Sequence, residues 1–143
     1  MAMLAFGSFA FTTTVETPLA ANTPAKALGT TVVGEIGDFT MPVNNRLLYG
    51  GATTRAFEII LSTSSVRSAG SQALATIHVA KNGVVVTNLS TTRTLLNTSD
   101  VGAVALCGSL SLAQNDYVEI WLETNNGTNI TITKGCMIVR VLG

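Results

Sequence analysis

The sequence contains one histidine, His78, which is the first residue to consider for chemistry. A histidine can serve as a general base, but a hydrolase also needs a nucleophile held within its reach, and no nucleophile motif accompanies His78. Three interpretations stay open: a hydrogen-bonded structural residue, a cluster of three copies around a symmetry axis, or a catalytic base. We favour the structural interpretation, because His78 lies within the alternating, strand-like segment from Ala73 to Ala80.

The carboxylates give no catalytic or metal-binding pattern. Glu119 and Glu123 fall on one face of a predicted strand, about 13 Å apart by the rise of a strand. Glycosidase carboxyl pairs lie closer together than that, so we expect these two acids to be solvated or at an interface rim. The other acids lack the spacing of a calcium loop, and Gly50-Gly51 reads as a turn. The sequence therefore predicts no cofactor and no bound metal.

The two cysteines, Cys107 and Cys136, are far apart in the sequence and have no metal-ligand spacing. Both lie in apolar, strand-like surroundings. The sequence favours buried free thiols and leaves a single disulfide bond as the alternative.

The elements that carry these residues are strands. Apolar residues alternate or cluster in runs of four to eight between Gly, Asn, Asp and Ser, and β-branched Thr and Val dominate the runs. The clearest hairpin follows Lys81, where Asn82-Gly83 can supply the two positive φ values of a type I′ turn. About ten short strands at roughly regular spacing predict an antiparallel sandwich or barrel.

Alternation in the segment that starts at Tyr117 separates an apolar face from an aromatic and acidic face. Val118, Ile120 and Leu122 should face the core, which would turn Tyr117 and Trp121 outward. We predict that these two aromatic residues contribute to a subunit interface, since aromatic anchors dominate interface energetics. Packing of Trp121 beneath a loop or against a ligand stays open.

The last predicted strand places Met137, Val139 and Val141 on one face. A terminal apolar strand is a poor exposed edge, so it should lie inside a sheet or beside a subunit axis. We predict these three residues at a trimer interface.

The overall composition points to burial against other protein. Apolar residues make up 47% of the chain and charged residues only 11%, with a net charge of zero. Such a balance gives no electrostatic basis for nucleic-acid binding. No apolar run approaches the roughly 20 residues of a membrane-spanning helix. Buried subunit interfaces account best for the apolar excess.

The order of features from Ala73 onward then suggests a family. The runs ATIHVAKNGVVV, CGSLSLAQNDYVEIWLE and TITKGCMIVRVL, with the opening strand AFGSFAFTTT, resemble the complement-type and tumour-necrosis-factor-like trimeric jelly roll, and more closely its phage-encoded members. The resemblance covers most of the chain, and its second half best. It implies a homotrimer whose inner sheets pack round a three-fold axis.

Taken together, the sequence predicts an all-β jelly-roll sandwich of about ten short antiparallel strands, forming a trimer. Residues 1–30 are expected to form an N-terminal strand or arm and residues 31–143 the jelly-roll domain. The arm would contact a neighbouring capsid protein through aromatic and proline side chains, namely Phe6, Phe9, Phe11, Pro18 and Pro24.

The expected function is that of a non-enzymatic viral structural protein. It would decorate and cement the outer surface of a capsid, with the major capsid protein as its partner and the virion surface as its location. The alternative is the head of a phage fibre that binds a receptor or a host-surface glycan.

Overall fold

The computed structural model describes residues 4–70 and 72–143, and within them the protein is built from strands. Twelve strands are present in this part of the chain: β1 (Phe6–Phe11), β2 (Glu16–Thr17), β3 (Ala25–Lys26), β4 (Thr31–Gly37), β5 (Phe39–Thr40), β6 (Leu47–Tyr49), β7 (Arg55–Arg67), β8 (Ala73–Lys81), β9 (Val84–Leu95), β10 (Gly102–Leu112), β11 (Tyr117–Thr124) and β12 (Ile130–Val141). Among the described residues, no helix is long and apolar enough to cross a membrane.

The strands form two antiparallel sheets that pack face to face. The first sheet has the order β10–β7–β12–β1–β4, with β2 paired to β12. The second has the order β5–β6–β11–β8–β9, with β3 paired to β11. Strand β12 lies between β7 and β1, which confirms that the terminal apolar strand is in the interior of a sheet.

The core forms because alternate residues of each long strand point inward. On β7 the inward series begins with Phe57, Ile59 and Leu61, all fully buried. Val118, Ile120 and Leu122 of β11 are likewise fully buried, as their alternation predicted. An aromatic cluster of Phe39, Tyr49 and Phe57, with ring centroids 4.9–5.4 Å apart, closes one end.

The predicted hairpin between β8 and β9 is confirmed. Asn82 and Gly83 have φ values of 53° and 80°, so both occupy the left-handed region that a type I′ turn requires. The Asn82 side chain also joins this turn to the next one. Its amide donates to Asp116 Oδ1 over 2.8 Å, and its Oδ1 accepts from the Tyr117 backbone N–H over 2.9 Å.

Buried Asn45 ties three distant segments together next to β11. Its Nδ2 donates to the backbone oxygens of Ala27 (3.0 Å) and Ile120 (2.8 Å). Its Oδ1 accepts from the Ile120 N–H over 2.9 Å. Because Asn45 also has a φ of 56°, the turn brings Arg46 onto the outer face of the second sheet, beside Lys26.

The described part of the segment 1–30 is integrated into the sandwich. Strand β1 is an interior strand of the first sheet, paired with β12 on one side and β4 on the other. Phe9 is 2% exposed and Phe11 9%, so both are core residues. The prediction that they reach a neighbouring capsid protein is therefore wrong, because their side chains are the inward half of β1. Phe6 and Pro18 are exposed and Pro24 is half-buried, so a contact by these three stays a prediction.

Candidate functional site

The outer face of the second sheet carries a charged cluster centred on Glu119. Glu119 points away from the core, yet the residue is only 1% exposed. Lys26 Nζ lies 2.9 Å and Arg46 Nε 2.8 Å from its Oε2. The indole Nε1 of Trp121 donates to its Oε1 over 3.0 Å. The expectation that Glu119 is solvated or at a rim is wrong for the protomer, because these three side chains cover it.

The cluster keeps Glu119 ionised. Burial on its own would raise the pKa of Glu119, but hydrogen bonds from Lys26, Trp121 and Arg46 outweigh burial and hold that pKa below its ordinary value. A carboxylate in this state cannot donate a proton near neutral pH, so it is unsuited to general acid catalysis. Its role in the structure is to fix two cations and an indole ring in one arrangement.

The aromatic residues beside the cluster point outward, as predicted. The Arg46 guanidinium carbon lies 4.0 Å from the centroid of the Tyr117 ring, a cation–π contact. Tyr117 and Trp121 are each half-buried. Their predicted contact with a second subunit stays a prediction. The partly exposed rings are held in place by charged neighbours, which gives this face a rigid aromatic surface.

A second polar group lies further along the same face, around His78. The His78 Nδ1 is 2.7 Å from Ser90 Oγ, and its Nε2 is 3.0 Å from Glu123 Oε1. A hydrolase triad has the opposite order, with serine on Nε2 and the acid on Nδ1. Both ring nitrogens are engaged and the residue is only 7% exposed. This environment is that of the hydrogen-bonded structural histidine.

The outward face of the first sheet differs in character from that of the second. Strand pairing places Val32, Ala10, Cys136, Ser62 and Ala105 in one row across five strands. The row contains small or apolar side chains only. Another protein surface can therefore approach it closely, and no charged group in the row has to give up its hydration.

The neighbouring row on this face is similar. Ser8, Ile138, Ile60 and Cys107 follow one another across β1, β12, β7 and β10. Ile138 is 42% exposed in the single chain. We call these two rows together the apolar face.

Both cysteines belong to the apolar face. Cys107 and Cys136 are free and exposed in the protomer. The prediction of buried thiols is wrong for the single chain, since each cysteine lies on the outward side of its strand. Cys136 lies between two shallow depressions of about 270 and 230 Å³, both also lined by Ala10. Cys107 lines a third of about 390 Å³ with Ile60 and Ala105.

The predicted interface residues of β12 lie on the opposite side of the strand. Met137 and Val139 are fully buried between the two sheets. They form part of the core, so their assignment to a trimer interface is wrong; the outward residues of β12 are Cys136, Ile138 and Arg140. Val141 is half-buried and packs against the core. The alternation was recognised correctly, but the inward face was mistaken for the outward one.

Several residues that define the two outer faces were not predicted from the sequence. Ile138 could have been found as an apolar residue on the second side of β12, whereas Ile60 lies between Glu58 and Ser62 on its side of β7 and gave no such signal. Lys26 and Arg46 gave no local signal, because only folding brings them to Glu119. Among residues 4–70 and 72–143, no three His, Cys, Asp or Glu side chains gather as metal ligands would.

Comparisons with solved structures define the class of fold. A tumour necrosis factor structure, Eiger from S. frugiperda, superposes with a TM-score of 0.66 at 10% identity, covering 98% of this chain and 93% of that one. The globular domain of the zebrafish complement 1qA protein gives 0.59 at 11%, covering 99% and 98%. Murine APRIL at pH 8.5 gives 0.61 at 7%, covering 96% and 99%.

These similarities establish an all-β jelly-roll sandwich of the kind found in tumour necrosis factor and complement 1q globular heads. At such low identity they concern the fold alone. No family model matches the sequence. No curated protein matches it either.

Proposed function

We propose that this chain is a non-enzymatic structural protein that assembles as a homotrimer through its apolar face and decorates the outer surface of a virus capsid. The observation that carries the proposal is the exposed apolar face itself. Small and aliphatic side chains follow one another across the first sheet, and Ile138 and Val32 are 42% and 52% exposed in the single chain. A contiguous apolar surface of this kind marks a protein interface.

The charges on this sheet also fit an interface. Glu58 and Arg140 pair with each other across β7 and β12, so they leave no net charge at that point. Lys134 lies beyond the other end of the two rows. Glu35 is exposed on the edge strand β4, at the margin of the sheet. Self-association through the two rows themselves would therefore bury apolar surface with little desolvation of unpaired charge. The resemblance noted in the sequence implies that three copies assemble in this way.

The trimer is tested by light scattering coupled to size-exclusion chromatography. We expect a mass three times that of the chain, and a monomer after Ile138→Asp, which places an unpaired carboxylate within the apolar face. The matched control is Asn88→Asp, because Asn88 is exposed on β9 of the other sheet. A wild-type monomer, or a stable Ile138→Asp trimer, would refute assembly through this face.

The capsid role rests on the same assembly together with the resemblance to phage-encoded jelly rolls. A trimer that meets its own copies through the first sheet leaves the second sheet and the loops free for the major capsid protein. Cryo-electron microscopy of the virus particle that encodes the chain tests this role. Density for trimers in icosahedral register on the capsid surface is expected, and its absence there would reject decoration.

The rigid aromatic surface of the second sheet favours one alternative, a fibre head that binds a glycan. Trp121 is half-buried and fixed by Glu119, and Arg46 lies over Tyr117. An aromatic ring can stack on a sugar ring, and fixed polar groups beside it can hydrogen-bond the sugar hydroxyls. Density only at a vertex or tail tip, with glycan binding lost on Trp121→Ala and retained on Asn88→Asp, would establish this alternative.

A further inference from the structure

The two cysteines lie on the same face but on opposite sides of β7. Cys136 of β12 pairs across β7 with Ser62, whereas Cys107 of β10 pairs with Ile60. They are thus two strand spacings and two residues apart. With about 4.8 Å between strands and about 3.3 Å per residue, their Cα atoms are about 12 Å apart.

A disulfide bond within one chain is excluded by this separation. Bonded cysteines have Cα atoms no more than about 7 Å apart. Cys136 lies on β12, which pairs with a strand on each side, and Cys107 lies on the edge strand β10, which pairs with β7. Neither cysteine can therefore move about 5 Å without breaking hydrogen bonds between strands. Any disulfide bond between Cys107 and Cys136 must therefore join two copies of the chain.

The surroundings of both thiols leave room for a second copy. Cys136 is flanked by Ala10 and Ser62 on the neighbouring strands, and Cys107 lies two residues along β10 from Ala105. These small side chains form the shallow depressions that the cysteines line. The depressions leave space beside each sulfur atom for an approaching chain.

Three-fold symmetry determines which cysteines can pair. In a closed ring of three, each contact joins two different parts of the surface, one from each copy. Cys107 lies on the edge strand β10 and Cys136 on the central strand β12, so they belong to different parts of the face. Pairing of Cys136 with its own equivalent would join two copies and leave the third unbonded.

Resting on the proposed trimer, we propose that Cys107 of each copy forms a disulfide bond with Cys136 of the next, so that three bonds close a covalent ring. The oxidant is a small-molecule disulfide such as oxidised glutathione. One protein thiolate attacks it and releases one glutathione, and the second protein thiolate then attacks the mixed disulfide and releases the other. Each bond formed removes two protons and two electrons from the protein, which reduce one glutathione disulfide to two thiols.

The experiment compares wild-type protein with Cys107→Ser and Cys136→Ser after incubation with oxidised or reduced glutathione. Denaturing gels without reductant report covalent linkage, and light scattering reports the native assembly. We expect oxidised wild type to run as a covalent trimer with no thiol that reacts with maleimide. Each single variant should run as a monomer on the gel, and an equimolar, co-refolded mixture of the two variants should add a dimer band.

The outcomes separate the cross-link from the assembly. If oxidised wild type is a native trimer that runs as a monomer on the denaturing gel, the cross-link is overturned and the trimer stands. If either single variant alone forms a covalent dimer, the Cys107–Cys136 pairing is wrong. If the reduced wild type is a monomer by light scattering, the proposed assembly itself fails.

Discussion

Replacing Asn45 with alanine removes three hydrogen bonds from a fully buried position. Three backbone groups lose this side chain as a partner. The Ile120 carbonyl retains the Ala27 N–H as a donor over 3.0 Å, so the cost falls on the other two, the Ile120 N–H and the Ala27 carbonyl. Each buried group left without its bond costs about 1–2 kcal/mol. Alanine at a φ of 56° adds about 1 kcal/mol, since only glycine and a few polar residues adopt that region readily. The expected loss in the free energy of unfolding is about 3–5 kcal/mol.

Urea unfolding, followed by circular dichroism at one fixed protein concentration, measures this loss. With a slope of about 2 kcal/mol per molar urea, the midpoint should fall by about 2 M. Asn45→Gly loses the same hydrogen bonds without the φ penalty, so it should be about 1 kcal/mol more stable than Asn45→Ala. Asn125→Ala is the surface control, because Asn125 is exposed and accepts one hydrogen bond, from the Leu74 N–H. A loss below 1 kcal/mol for Asn45→Ala would refute the view that this amide holds the segments together.

Two further perturbations address the charged cluster and the aromatic cluster. Glu119→Gln removes the carboxylate that Lys26 and Arg46 contact and should cost about 1–3 kcal/mol at pH 7. Because the pKa of Glu119 is lowered in the folded protein, its stabilising effect is complete above the ordinary value of 4.5 and is lost as the pH falls through the folded pKa. The difference in melting temperature between wild type and Glu119→Gln should therefore shrink below about pH 4.5; a difference independent of pH would contradict the ion-pair explanation. Gly51→Ala would place a Cβ 2.2–2.6 Å from the rigid Tyr49 ring, whereas Gly50→Ala meets nothing closer than 3.6 Å. Thermal unfolding should show a loss of about 1–3 kcal/mol for Gly51→Ala and a change within about 0.5 kcal/mol for Gly50→Ala, and equal effects would refute the steric argument.

The strand content and the turns were predictable because they depend on neighbouring residues. Alternation in β11 identified Val118, Ile120 and Leu122 as core residues, since glutamates on the other side left one face apolar. In β12 the same method failed. Cys136 and Ile138 make its second face nearly as apolar as that of Met137 and Val139, so hydrophobicity did not distinguish the inward face from the outward one.

The candidate sites were less predictable than the strands. The Glu119 cluster takes Lys26 from β3, Arg46 from the turn before β6, and the acid itself from β11. Their sequence separations of up to about ninety residues carry no periodic signal, and Asn45 was indistinguishable from any other turn asparagine. The structural role of His78 was predicted, because no nucleophile motif accompanies it in its alternating strand.

By itself, the sequence determined the all-β class, the Asn82-Gly83 hairpin and the alternation of β8, β11 and β12. These are local properties, set by β-branched residues, by turn residues that tolerate positive φ, and by the two-residue period of a strand. Only the tertiary structure decided which side of β12 faces the core, because that depends on how the second sheet packs against the first. It also decided that Cys107 and Cys136 share one exposed face, since the register of β7 with its two neighbours fixes where each thiol emerges.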